Sequence, residues 1–404
     1  MDWTRELQMY LQIDTSRPHI NHNKAIDFLI GVVSRMASNL YYRVYNKHHV
    51  LVVSKLGKTN RSILLATHID VQSVVSVERW SYPPFAGHYD PTTDRIYGRG
   101  VQENKSQAIQ YLALLHHLHD YLFEYTIHVC FLPGGGGNAA AGDFFRSPQF
   151  RALGVQMVVN GGCPSPFEHF LLYYAERTVW EFMIRIRSEG RHIMDIGRRP
   201  TCEHKLQLLL DEVAKFRMRD HHINMTKGRE YNIGYLTSVH MMGITMHTIP
   251  PSTPGSLPPV MDVLPREIAV TFKMCIGLET SMSAVLEEIQ RWTVVANGPE
   301  KPMDKSVTLE WIRCANKTHE TDTRNPLFGK FVSFMQSNKI PYALSISPDA
   351  SDCKVLRDEG IPVIGFSPIN RTPQLLYADD EFIYRKQFLD NIHLMANLIK
   401  YLAN

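Results

Sequence analysis

The first 160 residues alternate between the hydrophobic periods of helices and strands. Asn23 is a candidate helix cap, and apolar residues recur after it at helical spacing, at Ile26, Phe28, Leu29, Val32, Val33 and Met36. Runs typical of buried strands lie at 50–55, 62–67, 126–132 and 155–160, and a second helical pattern lies at 104–119. This alternation predicts an α/β domain with a mixed, largely parallel sheet flanked by helices. Ligands of such sheets collect at the carboxyl ends of the strands.

The pattern changes near Thr178. A period-two strand pattern is followed by a helix, further strands and a second helix, at 178–187, 202–219, 233–248, 267–275 and 281–292. This order predicts a small α+β sandwich of ferredoxin-like type, inserted into the first domain. The first pattern resumes from 307 onward. We therefore expect residues 1–177 and 301–404 to form one domain and residues 178–300 to form the inserted one.

Composition narrows the classes of partner and compartment. The chain has 404 residues and a formal net charge of +3, which gives no electrostatic footprint for nucleic acid. No apolar run approaches the roughly 18–20 residues that span a bilayer, and the N-terminus lacks the apolar core of a signal peptide. We expect a cytoplasmic protein without a membrane or nucleic-acid partner. The six cysteines form no CxxC or CxxH pair, which argues against a disulfide framework or a structural zinc site.

Several long motifs occur in a specific order. His68 and Asp70 form an H-x-D pair at the end of a strand, a pattern that is common by chance on its own. It is followed by WSYPPF (80–85), IYGRGVQENK (96–105), FLP (131–133), YYAERT (173–178) and GFSPINRTP (365–373). In this order and spacing the chain resembles the aminoacylase-1 family, zinc-dependent amidohydrolases of N-acyl-L-amino acids within a larger group of binuclear-zinc exopeptidases. The resemblance covers essentially the whole chain and implies a zinc-exopeptidase-like fold with an inserted lid and dimerisation domain.

The resemblance implies two zinc ions bridged by a carboxylate, with an activated water that attacks the amide carbon. Three positions of this machinery keep a suitable residue. His68 corresponds to a zinc ligand, and Asp70 to the aspartate that orients its imidazole. Glu103 stands where the family has the bridging aspartate, with a side chain one methylene longer.

The remaining catalytic positions are lost. The family's Asp-Glu-Glu, which supplies the general base and a zinc ligand, falls on 134–136 within the glycine run, so the base position is Gly135 and the ligand position Gly136. A further zinc-ligand glutamate corresponds to Gly161, and the final zinc histidine to Tyr377. A phosphate cradle is not a fitting alternative for the glycine run, because no Gly-Lys-Ser/Thr opens a helix after it.

The substrate side is also changed. Lys354 stands where the family has the arginine that grips the substrate carboxylate, and it lacks the planar fork for bidentate contact. His247 replaces an asparagine of the lid, and His192 is the nearest match to a lid histidine that reaches across the dimer. Arg371 is a second cation beside which an N-acyl-amino-acid-like ligand is expected to lie.

These changes favour a pseudoenzyme, although the family is one of metal-dependent amidohydrolases. We expect zinc to be absent or limited to one weakly bound ion, and the protein to bind a ligand or partner as a homodimer, or as a heterodimer with an active relative, through the lid. The alternative is a slow or altered zinc hydrolase whose metal site is rebuilt from other carboxylates, with Asp379, Asp380, Glu168 and Asp143 as candidates. Cysteine chemistry at Cys163 is disfavoured because no histidine-acid pattern adjoins it. A structural partner without a pocket is a third interpretation.

Overall fold

The computed structural model describes the chain except residues 19–20, 37–38, 46, 48, 135–138, 190, 195–199, 228–231, 248–261 and 299–305. The helices are α1 (Trp3–Leu11), α2 (His22–Ser34), α3 (Lys105–His117), α4 (Ala139–Phe145), α5 (Pro148–Arg151), α6 (Cys202–Thr226), α7 (Met282–Asn297), α8 (Pro326–Ser337), α9 (Lys354–Asp358) and α10 (Arg385–Leu402). The strands are β1 (Tyr41–Tyr45), β2 (Val50–Lys55), β3 (Ser62–His68), β4 (His88–Asp90), β5 (Arg95–Tyr97), β6 (Thr126–Leu132), β7 (Val155–Asn160), β8 (Phe170–Glu176), β9 (Thr178–Arg187), β10 (Ser238–His247), β11 (Glu267–Ile276), β12 (Val307–Cys314), β13 (Tyr342–Ser347), β14 (Val363–Phe366) and β15 (Phe382–Tyr384).

The described residues divide into two compact units. Unit 1 comprises Met1–Ala175 and His319–Asn404, and unit 2 comprises Glu176–Thr318. Unit 1 contains a mixed sheet with the strand order β1-β2-β6-β3-β7-β14-β8-β13. Its centre, from β6 through β3 and β7 to β14, is parallel, whereas β1, β2 and β8 join antiparallel. The predicted α/β fold with a largely parallel sheet is confirmed.

The central strands of unit 1 are apolar because both of their faces are covered. β6 is buried at every position and β3 at all but its last, and α3 is buried from Lys105 to Leu115. Parallel strands covered by helices on both faces read as continuous apolar runs, which is the pattern of SILLAT and TIHVCFL. The carboxyl ends of these strands carry His68, Leu132 and Asn160 to one edge of the sheet.

A smaller sheet with the order β15-β5-β4 brings the chain around residue 380 close to the segment before α3. Phe382 pairs with Tyr97 in this sheet, and Gly98 N donates to the main-chain oxygen of Glu381 at 3.1 Å. The pairing joins residues almost 300 positions apart, and it positions the loop that carries Tyr377.

Unit 2 is a four-stranded antiparallel sheet with the order β10-β11-β9-β12, with α6 and α7 packed on its core. Strands and helices follow one another as β9-α6-β10-β11-α7-β12, the βαββαβ arrangement of a ferredoxin-like domain. Two details of the sequence interpretation are wrong. The segment 233–248 contains one strand, β10, after a short 3₁₀ turn, and β12 pairs with β9 instead of returning to the first domain. A period-two pattern indicates a strand but not the sheet that it joins.

Two further observations concern helices. α2 begins two residues before the position expected from Asn23, because the side chain of Asn21 accepts from Lys24 N at 3.1 Å and caps the helix. No helix in the described part of the chain is both long and apolar enough to cross a membrane.

Candidate functional site

The candidate site lies at the carboxyl end of β3, where His68 meets the turn before α3. His68 Nδ1 lies 2.9 Å from the main-chain oxygen of Asp70. Asn104 Nδ2 donates to the main-chain oxygens of His68 and Asp70 at 2.9 and 2.8 Å. These contacts hold the imidazole with Nδ1 towards the backbone, so that Nε2 points towards Glu103.

Glu103 joins His68 to Tyr377 in one hydrogen-bonded cluster. Its Oε1 lies 3.3 Å from His68 Nε2 and accepts a hydrogen bond from the Tyr377 hydroxyl at 2.9 Å. Both donors therefore reach the same carboxylate oxygen. The structure brings together three positions that the resemblance assigns to metal ligation, with Glu103 in contact with both of the others.

The charge of Glu103 changes the protonation of both neighbours. Burial opposes protonation of His68, but the charge of Glu103 and its hydrogen bond, assisted by Asp352 and Asp70, raise the pKa of His68 to about 9. At neutral pH His68 is then mostly protonated, so its Nε2 is a donor that faces Glu103. Burial and the charge of Glu103 also raise the pKa of Tyr377, so its hydroxyl is a donor throughout the physiological range.

Tyr377 is presented by a loop that an internal ion pair supports. Its φ is 64°, in the left-handed region, and its side chain is 53% exposed. Arg99 donates to the main-chain oxygens of Tyr377 and Ala378 at 3.3 and 3.2 Å. The same guanidinium donates to Glu381 at 2.9 Å, and both side chains of that pair are almost wholly buried. The fold thus fixes the backbone on which Tyr377 stands.

Asp70 has a different contact from the one expected. Its carboxylate, 1% exposed, faces His22 Nε2 at 2.9 Å and Arg17 Nε at 3.6 Å. The group that contacts His68 Nδ1 is the main-chain oxygen of Asp70, so the expected contact of this carboxylate with the imidazole is not what the structure shows. No sequence motif indicates His22 or Arg17 as partners, because each lies about 50 residues away from Asp70 along the chain.

Only some of the glycines that stand where the resemblance places catalytic residues and zinc ligands are among the described residues. Gly135 and Gly136 fall outside them. Gly134 has a φ of 150°, a conformation that residues with a side chain rarely adopt. Gly161 follows β7 directly, and its N–H donates to the main-chain oxygen of Ala66 on β3 at 3.2 Å, which places it beside the strand that carries His68.

Both cations expected at the substrate end are engaged with carboxylates. Lys354 Nζ donates to Asp358 Oδ2 at 2.6 Å along α9. Arg371 donates to Glu168 at the surface, in a second ion pair. A carboxylate ligand therefore competes with an internal partner at each cation.

The two expected lid residues lie in unit 2. His247 is the last residue of β10 and pairs in register with Glu267. His192 is exposed and accepts from Met194 N at its Nδ1 at 3.3 Å.

The structure describes all four carboxylates named for a rebuilt metal site. Asp380 accepts from the main-chain N and the hydroxyl of Ser81, both at 2.7 Å, and Glu168 pairs with Arg371. Asp143 is exposed, and Asp379 is half-buried. In the part of the chain that the structure describes, no group of three or more His, Cys, Asp or Glu side chains is arranged to hold a metal ion. The described residues thus do not fit the zinc centre that the resemblance implies.

Cys163 lies near the same cluster. Burial first, and the charge of Glu103 second, raise the pKa of Cys163 to about 12, although a hydrogen bond with Tyr173 opposes the shift. The group is then a neutral thiol at physiological pH, which is a poor nucleophile.

Comparison with known proteins identifies the family. The model of peptidase family M20/M25/M40 matches residues 64–401. The chain belongs to this family. It is 28% identical over 412 residues to aminoacylase-1 of Sus scrofa, with 98% of this chain and 94% of that protein covered, and 28% identical over 408 residues to the Homo sapiens protein.

Solved M20 structures share the fold over the whole chain. A metallo-carboxypeptidase from Sulfolobus solfataricus superimposes with a TM-score of 0.73 at 12% identity, covering 100% of this chain and 99% of that one. Human carnosine dipeptidase 1 gives a TM-score of 0.65 at 14% identity, covering 100% and 97%. A Bacillus subtilis protein with a TM-score of 0.62, at 11% identity and covering 99% and 98%, is described as a dinuclear metal-binding peptidase of the M20 family.

Proposed function

We propose that this M20 protein is a non-catalytic relative of aminoacylase-1 that acts by binding a partner. The observation that carries the proposal is the convergence of His68 Nε2 and the Tyr377 hydroxyl on Glu103 Oε1. Two protein donors supply the positive potential that metal ions provide around a bridging carboxylate. This arrangement satisfies Glu103 without a cofactor.

Loss of the general base supports the same proposal. The residue at the base position is Gly135, which has no side chain to accept a proton from water. A general base contributes about 10²–10⁴-fold to the rate of such a hydrolysis. The electrophilic metal supplies several kcal/mol more. Without the general base and with the metal's contribution reduced, hydrolysis of an amide substrate is expected to be too slow for the protein to act as an acylase.

The surface that supports partner binding is the side of β10 that pairs with no other described strand. β10 is an edge strand of the unit 2 sheet, and its residues from His240 to Met246 are exposed on both faces. Its exposed apolar side chains are Met241, Met242, Ile244 and Met246. An exposed apolar edge strand presents unpaired backbone groups that favour pairing with another strand.

We propose a second copy of this chain as the occupant of the β10 edge. Antiparallel pairing of β10 with its own copy gives a two-fold, self-complementary contact and continues the sheet across the dimer. The substrate-side cations lend less support to a small-molecule ligand, because Lys354 and Arg371 already have carboxylate partners. The cytoplasmic location expected from the sequence belongs to the same proposal.

Metal content and turnover test the proposal together. Protein purified without chelators is assayed for zinc per chain and for hydrolysis of N-acetylmethionine, beside a His68→Ala variant. We expect almost no zinc, and turnover no higher than that of the variant. Stoichiometric zinc together with turnover well above the variant would overturn the proposal in favour of an active hydrolase.

A further inference from the structure

We propose that Gln107 is the residue that closes the metal position beside His68, and that Gln107 and Gly161 are a coupled pair. This inference rests on the proposed loss of the metal site and names the side chain that keeps one ion from binding. Gly161 occupies the position of a lost zinc ligand, and the side-chain amide of Gln107 fills the space that a ligand at 161 needs.

The sheet register places position 161 next to His68. Ala66 on β3 pairs with Asn160 on β7, and Gly161 N donates to the Ala66 oxygen at 3.2 Å. The two strands are parallel neighbours, so residues 161 and 68 leave the sheet at the same edge. A carboxylate at 161 is therefore the residue that would complete the pair formed by His68 and Glu103.

Gln107 stands where the side chain of residue 161 would begin. An ideal Cβ built on Gly161 lies 2.5 Å from Gln107 Oε1, 3.5 Å from its Cδ and 3.8 Å from its Nε2. These are the three nearest heavy atoms to that Cβ, and 2.5 Å is shorter than a real Cβ contact. A side chain at 161 thus requires Gln107 to move.

The surroundings of Gln107 restrict that movement. Gln107 lies on α3 with no exposed surface, and its Nε2 donates to the Gly162 oxygen at 3.2 Å. Its Oε1 is buried and accepts no hydrogen bond from any described residue. The amide is therefore held by packing and by one bond to the turn that contains Gly161.

The backbone gives no other reason for glycine at 161. Gly134 and Gly154 have φ values of 150° and 65°, whereas the φ of Gly161 lies outside the left-handed region. A residue with a side chain is compatible with that conformation. The obstacle to a ligand at 161 is the neighbouring side chain.

Zinc binding by restored ligands tests the pair. Gly161→Glu is compared with Gly161→Glu/Gln107→Ala, and Zn²⁺ affinity is measured by competition with a chromophoric chelator. Alanine is chosen because it keeps the helix propensity of α3. We expect the double variant to bind one Zn²⁺ per chain on the order of 10–100-fold more tightly than the single variant, the range by which groups around metal ligands change affinity.

Gln110→Ala supplies the matched control. Gln110 is also fully buried on α3, and its Nε2 donates to the Phe388 oxygen at 3.0 Å, away from Gly161. Gly161→Glu/Gln110→Ala should bind zinc no better than Gly161→Glu alone. Equal affinity of Gly161→Glu with and without Gln107→Ala, including failure of both to bind, overturns the inference. Zinc binding by the unmodified chain instead contradicts the proposed function, so the two failures are distinguishable.

A stability measurement tests the same steric conflict if Gly161→Glu prevents folding. Gly161→Ala, Gln107→Ala and the double variant form a cycle, with the urea midpoint as the readout. We expect Gly161→Ala to lower the midpoint in the unmodified chain and to change it little in the Gln107→Ala background. Additive changes would show that the two residues are independent and would overturn the inference.

Discussion

Glu103 accepts hydrogen bonds from His68 and Tyr377 at a single oxygen atom, Oε1. A carboxylate beside an imidazolium and a phenol needs no further cation to be stable in a partly buried position. The substitution of a tyrosine at 377 is therefore more than the loss of a ligand, because its hydroxyl supplies a contact that the remaining carboxylate needs.

Tyr377→Phe removes this contact and leaves the ring in place. We expect the free energy of unfolding to fall by about 1 kcal/mol, since a half-exposed hydrogen bond to a charged group is lost. Urea denaturation at pH 7 measures the change.

Tyr401→Phe is the matched control, because Tyr401 is 45% exposed and its hydroxyl bonds to no described residue. Its stability should stay within ~0.5 kcal/mol of the unmodified chain. A Tyr377→Phe variant as stable as the control would show that the hydroxyl contact contributes nothing to the cluster.

The residues of the candidate site differ in how far they could be predicted from the sequence. His68, Glu103 and Tyr377 follow from motifs whose order is fixed along the chain, and the structure places them together. The partners of Asp70 do not follow from any motif. His22 begins a helix and Arg17 precedes a proline, and only the folded chain brings them to a carboxylate about 50 residues away.

At the scale of the elements, β2 and β6 are joined by a partly buried polar pair. Ser54 and His128 stand opposite each other in register, with Ser54 Oγ 2.8 Å from His128 Nδ1. His128 Nε2 lies 3.3 Å from the Leu153 oxygen. Burial lowers the pKa of His128 from 6.5 to about 4, so the folded sheet holds a neutral imidazole.

This pair predicts a loss of stability in mild acid. The pKa of His128 is lower in the folded than in the unfolded chain, so the unfolded chain binds the extra proton between about pH 6.5 and pH 4. The contribution of neutral His128 to the free energy of unfolding is complete above pH 6.5 and is lost as the pH falls towards 4. Between pH 7 and pH 5 the loss is about 2 kcal/mol. Urea denaturation at both pH values, on the unmodified chain and on His128→Gln, measures it.

The variant should lose less stability than the unmodified chain over this interval. His204→Gln, at an exposed position on α6, should leave the pH dependence unchanged. Parallel pH profiles for the unmodified chain and His128→Gln would mean that another group titrates in this range.

Elements were predictable where both faces of a strand are buried. The runs SILLAT and TIHVCFL correspond to β3 and β6 because a central parallel strand is apolar on both faces. β12 has the same kind of local pattern as a strand of the first domain, yet it pairs with β9. Which sheet accepts a strand depends on long-range packing, and a single sequence does not encode that choice in its period.

At the scale of the whole molecule, unit 2 carries the surface of the proposed dimer. Its sheet ends at β10 on one side and at β12 on the other, and both edges expose an isoleucine, Ile244 at 45% and Ile312 at 56%. The proposed dimer uses the β10 edge. Substitutions at Ile244 and Ile312 can therefore show which of the two edges forms the contact.

Ile244→Lys should weaken the dimer, because pairing at β10 would bury an unpaired ammonium group. Each 1.4 kcal/mol lost corresponds to about a tenfold increase in Kd, and an increase of at least that size is expected. Sedimentation equilibrium over a range of concentrations measures it.

Ile312→Lys places the same charge on the opposite edge and should leave the association unchanged. Dissociation by Ile312→Lys alone would assign the contact to β12. A monomeric unmodified chain would refute dimerisation altogether.

The ion pair between Arg99 and Glu381 has a consequence for how the protein matures. Metal binding contributes to folding wherever an ion holds the chain together, and stability then depends on the free concentration of that ion. Here the loop under Tyr377 is anchored by two side chains of the chain itself, both almost wholly buried. Under the proposed function, this loop should fold independently of the zinc supply of the cell, and the abundance of the protein should not change with that supply.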